Sequence, residues 1–131
     1  MQNAKCIMHN LITNEEKTME NAIEAKSFDF AVRIVNLYKF LREKDEFVMS
    51  KQLLRCGTSI GANVSEAQRA QTPADFNAKM NIALKEANET NYWLKLLKHT
   101  DYINDAAYAS IYADIKEILA LLISICKKTN I

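Results

Sequence analysis

The stretch TPADFNAKMNIALKEANETNYWLKLL, residues 72–97, decides the fold. Thr72 is a helix-capping type, and Pro73 suits the first helical position, where its missing N–H removes no bond. Asp75 then sits near the positive end of the helix dipole. Downstream, Phe76, Met80, Ala83, Ala87, Thr90, Leu94 and Leu97 recur by fours and threes, the seam of a helix in an antiparallel bundle. The pattern predicts a helix over 73–100.

Working outward, the chain must turn sharply at 71–73, so the helix expected over 51–71 pairs with it as a hairpin. Ser50 is its expected N-cap, with Met49 and Leu54 placed as a hydrophobic staple. Leu53, Gly57, Ile60, Val64 and Ala67 form its apolar stripe. Both glycines of the chain, Gly57 and Gly61, fall inside this helix. Each costs roughly 1 kcal/mol there relative to alanine, a loss that close approach of another helix would offset. On the other side, Asn104 or Asp105 opens a helix over 105–128, with Tyr108, Ile111, Ile115, Ile118, Leu122 and Ile125 as core stripe. Tyr112, Leu119 and Cys126 widen that stripe, and Leu121 and Ile123 add apolar surface beyond what one bundle should cover.

The first bundle helix is expected over 27–44, starting at Ser27. Phe30, Ile34, Leu37 and Leu41 make one stripe, and Phe28, Ala31, Val35 and Tyr38 an adjacent one. The charged run Arg42 to Glu46 reads as a solvated loop. Residues 1–26 read as a weakly packed extension, with Thr13 and Glu16 spaced as a capping box for a short helix to about Ala25. Residues 27–129 then form an all-α, antiparallel, up-down-up-down four-helix bundle.

Composition agrees. The chain has 131 residues, two glycines and one proline, too few turn residues for an all-β domain. A net charge of +1 gives no global attraction for nucleic acid or membrane. Residues 47–72 hold a local excess of two, from Lys51, Arg55 and Arg69 against Glu66, and these three cations are the candidate nucleic-acid contacts. Cys6, Cys56 and Cys126 share no short spacing, which argues against a disulfide framework or zinc site. No stretch reads as a signal peptide or a membrane span, so a cytoplasmic location is expected.

A search for chemistry finds no catalytic residue, cofactor site or metal site. His9 and His99 lack carboxylates or cysteines at ligand spacing. There is no phosphate loop or nucleophile elbow. Two polar constellations are less ordinary. Arg55, Ser59, Asn63 and Glu66 project from one side of the second helix. On the third, Glu86 and Glu89 share a stripe with Ala78, Ile82, Trp93 and Leu96. A hairpin turning at 72–73 sets Arg55 level with Glu89, Ser59 with Glu86, and Glu66 with Lys79. Arg and Trp favour a subunit or partner interface, solvated salt bridges are the plainer reading, and a paired-carboxylate hydrolase is a distant third.

Three blocks carry a family resemblance. Ser50 to Ala67, SKQLLRCGTSIGANVSEA, resembles the signature of a bacterial family first described from intervening sequences in large-subunit ribosomal RNA genes. Ala83 to Leu94 is similar to its second block and Ser110 to Asp114 to its third; with Lys26-Ser27-Phe28 the resemblance covers about residues 26–128. It implies a four-helix bundle with no known enzymatic activity. A relative, the accessory protein of diversity-generating retroelements, is a basic ring of five subunits that binds reverse transcriptase and nucleic acid. The resemblance therefore implies a homo-oligomer, a ring of five above other assemblies, with a protein partner such as a reverse transcriptase. Nucleic-acid binding follows only weakly, because this chain is not basic. The expected function is a non-catalytic scaffold, with a specific RNA-binding protein as the alternative.

Overall fold

The computed structural model describes residues 14–130. Four helices account for nearly all of them: α1 (Asn14–Glu43), α2 (Met49–Ala67), α3 (Pro73–His99) and α4 (Asp105–Thr129). Each packs against its neighbours in sequence, and α1 closes the set against α4. Side-chain pairs run in opposite directions across every seam. Arg55 meets Glu89 while Glu66 meets Lys79; Lys26 meets Glu117 while Arg33 meets Asp114. Asn77 bonds Thr129 while Lys98 covers the Tyr108 ring, and Ile34 lies against Gly57 while Ser27 lies against Gly61. Neighbouring helices are therefore antiparallel.

Two starts follow the capping chemistry in the sequence. The Thr72 hydroxyl accepts from the Asp75 N–H at 3.0 Å, and Asn104 Oδ1 accepts from the Ala107 N–H at 2.8 Å. Two ends need no glycine. Asp45 and Asp101 take the left-handed conformation, with φ of 61° and 66°, which aspartate tolerates better than most residues. Each closes its helix with the long return bond of a Schellman turn, Glu46 N–H to Leu41 O at 2.9 Å and Tyr102 N–H to Leu97 O at 3.0 Å. Two glycines in the whole chain suffice for this reason.

Three expectations need correcting. The first helix does not start at Ser27. It is already running at Asn14, so the boundary drawn at residue 26 falls inside α1. Ile23 extends the buried stripe two turns upstream of Phe30, and Ser27 is a buried small residue between them. The Thr13 end of the expected capping box lies outside the described residues. Second, Ser50 does not cap α2. Glu46, expected in a solvated loop, is only 6% exposed. Its carboxylate accepts the N–H groups of Val48, Met49 and Ser50 at 3.1, 2.9 and 2.6 Å, and the Ser50 hydroxyl donates back to its carbonyl at 2.7 Å. Helix α2 also stops at Ala67 rather than 71, in tight turns from Gln68, Arg69 and Ala70 back to Ser65, Glu66 and Ala67.

The third correction concerns apolar surface. On α4, Leu119, Leu121, Tyr108 and Tyr112 pack partly against the core, leaving Ile123 as the large apolar side chain of that helix that stands exposed, at 44%. The stronger exposures lie elsewhere, at Val48 just before α2, Phe28 and Val32 on α1 and Tyr92 on α3.

Candidate functional site

The α2–α3 seam gathers most of the polar residues singled out in the sequence. Arg55 reaches across it with both terminal nitrogens, one to Glu89 and the other to Glu86 Oε2 at 3.4 Å. The Trp93 indole N–H donates to the same Glu89 Oε2 at 3.1 Å. Glu66 lies 3.7 Å from Lys79. Ser59, level with Glu86, bonds within its own helix instead, to the Arg55 carbonyl at 2.7 Å. Asn63 likewise donates to the Ser59 carbonyl at 2.8 Å. Ile82 remains exposed and Leu96 half-buried on the outer side of α3.

This arrangement fastens one helix to the next. Glu86 and Glu89 share a single guanidinium, which gives each a cationic partner. Arg55 is half exposed, so the pairs contribute modestly to stability. Cys56, beside Arg55, is buried, and that burial pushes its thiol up, away from the reactive thiolate. Among the described residues no three His, Cys, Asp or Glu side chains gather where they could hold a metal ion.

Gly57 and Gly61 lie at the α1–α2 crossing. A β-carbon on Gly57 would stand 2.8 Å from Ile34 Cγ1 and Cγ2, and one on Gly61 would stand 3.2 Å from the Ser27 carbonyl oxygen. Beside this crossing a cleft of about 500 Å³ opens, lined by Phe28, Ala31, Ala62, Ser65 and Arg69 among others. The three candidate nucleic-acid contacts do not form a patch. Arg55 is held by two carboxylates, while Lys51 lies in the first turn of α2 and Arg69 in the turn past its end, with roughly 24 Å of helical rise from Lys51 to Ala67 between them.

Sequence reasoning missed Glu46 and misplaced Phe28. An acidic residue just before a helix start was a usable signal for the first. Phe28 belongs to an apolar stripe, and nothing in the stripe says which part of it faces out. Among the described residues no helix is long and apolar enough to cross a membrane.

Fold and surface thus define an all-α bundle protein whose charged residues tie helix to helix. Residues 19–124 match the 23S rRNA-intervening sequence protein family, and the chain belongs to that family. It is also similar to a crystal structure of a protein of unknown function, from the S23 ribosomal protein family, of Bacteroides thetaiotaomicron VPI-5482. The two are 64% identical with a TM-score of 0.81, over 83% of this chain and 98% of that one. No curated protein matches the chain.

Proposed function

We propose that the protein is a non-catalytic, self-assembling helical scaffold that binds a protein or nucleic-acid partner in the cytoplasm. One observation carries the reading. Large apolar side chains stand on the outside of a bundle that already has a full core, with Phe28 68% and Tyr92 58% exposed. Phe28 and Val32 stand one turn apart on α1, and contiguous exposed apolar surface marks contact sites. The polar cluster that most resembles a reaction site is engaged between α2 and α3, which supports a structural role for it. Membership of the family supports assembly through the resemblance already described, with five copies the expected number and a reverse transcriptase as one kind of partner.

Light scattering across a size-exclusion peak at micromolar concentration tests assembly. The expected mass is a multiple of the 15.0 kDa chain. A monodisperse 15.0 kDa peak overturns the scaffold reading.

The family's description names an rRNA intervening sequence, which makes RNA a partner to test. Non-specific binding depends on counterion release by clustered cations, and here Arg55 is paired while Lys51 and Arg69 are far apart. Binding to a structured RNA or a DNA duplex is therefore expected to be weak, seen at low salt and gone near physiological ionic strength. A salt titration with labelled nucleic acid decides it. Nanomolar binding that survives physiological salt favours a dedicated RNA-binding protein, and Lys51→Glu and Arg69→Glu then show whether α2 is the surface.

A further inference from the structure

The charges of α3 and α4 are sorted by side. The carboxylates in the middle of both helices turn away from the seam they share. Glu86 and Glu89 reach toward α2, to Arg55, while Asp114 and Glu117 reach toward α1, to Arg33 and Lys26. The lysines stand elsewhere. Along α3, Asn81, Lys85, Asn88, Tyr92, Lys95 and His99 recur by fours and threes and are all exposed, so they share one face. That face borders α4, because Asn77, which bonds Thr129, lies on one line with Lys95 about five turns away. On α4, Tyr108 lies beneath Lys98 of α3, Tyr112 and Lys116 follow at steps of four, and Lys127 lies about three turns further along. Among the described residues, Lys85, Lys95, Lys116 and Lys127 hold no ion pair. A chain of net charge +1 therefore carries one face of free cations, closed at the α3–α4 turn by Asp101 and Asp105.

We propose that this α3–α4 face docks an acidic helix of a partner protein. Charge complementarity names the occupant. Lys85 and Lys95 stand about 15 Å apart by helical rise, a span that a short helix with glutamates along one side can match. Tyr92, 58% exposed, stands between them and supplies the apolar contact that a purely ionic surface lacks. A nucleic-acid strand fits less well. Single-strand binders stack bases on open ring faces, but Tyr108 is already stacked on Tyr112, with centroids 5.5 Å apart. Lys98 covers Tyr108 as well, 4.8 Å from its centroid. The carboxylates of the neighbouring seams also rim the face. They oppose a polyanion that runs past it, whereas a short acidic helix stays within it. The weak nucleic-acid binding expected above agrees with this choice.

This docking rests on the partner-binding part of the scaffold reading and specifies its surface and the partner's chemistry. Fluorescence anisotropy with the full chain tests it. The probes are a labelled helical peptide with glutamates along one side, the same peptide with glutamines, and an oligothymidylate of equal charge. The glutamate peptide is expected to bind, more weakly as salt rises, and the glutamine peptide is not. Lys85→Glu, Lys95→Glu and Lys116→Glu should each weaken binding about fivefold. Lys51→Glu makes the same charge change on α2 and should leave binding nearly unchanged. Equal binding of the two peptides, reversals no worse than Lys51→Glu, or tighter binding of the oligothymidylate overturns the proposal. So does a change of assembled mass in the three reversal variants, which places the face between copies. Those results leave self-assembly standing, whereas a monomeric wild type that still binds the glutamate peptide removes the assembly and keeps the docking face.

Discussion

Gly57→Leu is expected to destabilise the bundle by about 1–3 kcal/mol. The reason lies in how α2 crosses α1. A β-carbon on residue 57 would lie 2.8 Å from two carbons of Ile34, and Ile34 is fully buried in the core. Those carbons are the branch of a stiff side chain, not the end of a flexible one, so the helices themselves must part. Gly57→Ala poses the sharper question. Alanine adds roughly 1 kcal/mol of helix propensity, yet its single methyl carbon meets the same obstruction, and a net loss is expected. Gly61 is less tightly placed, with 3.2 Å to the Ser27 carbonyl oxygen, so Gly61→Ala should change stability little. Thermal melts rank the variants, at roughly 4 °C for each kcal/mol in a chain of this size. Gly57→Ala or Gly57→Leu melting at or above wild type would show that the crossing has room to relax.

The sequence made the helix count and two of the starts legible because period and capping are local properties. Thr72 and Asn104 bond the N–H groups that capping geometry assigns to them. The level of Arg55 with Glu89 was also legible, since a hairpin with a known turn fixes heights along both helices. What the count could not fix was rotation. Ser59 is level with Glu86 but bonds its own helix, and Phe28 lies in an apolar stripe yet faces outward. A stripe of two adjoining rows says how wide an apolar face is, while the roll of the helix is set by what packs against it. At α1 that roll follows the crossing, where Ser27 and Ile34 meet Gly61 and Gly57. Ser27 misled for the same reason. A serine at a helix start and a serine beneath a glycine look alike until the second helix is present.

Glu46 was hidden by its neighbours, a charged run that composition assigns to solvent, and its removal is the second large effect expected. Glu46→Ala takes away the acceptor of three backbone N–H groups at the start of α2. Losing an N-cap costs about 0.5–2 kcal/mol, and each buried donor left without a partner adds about 1 kcal/mol or more. A total of about 2–3 kcal/mol is expected. Glu46→Gln keeps an oxygen acceptor and should lose less, and its loss should depend on pH. Burial pushes the Glu46 carboxyl up, but the N–H groups of Met49, Ser50 and Val48, with the Ser50 hydroxyl, more than reverse that and hold it below the usual glutamate range. The unfolded chain therefore takes up this proton more readily than the folded one. The carboxylate's contribution is complete at neutral pH and fades as pH falls through the folded pKa. Wild type and Glu46→Gln should accordingly melt well apart at neutral pH and converge in acid. A gap of the same size at both would mean that the charge on Glu46 contributes nothing, and that the shape of the turn alone starts the helix.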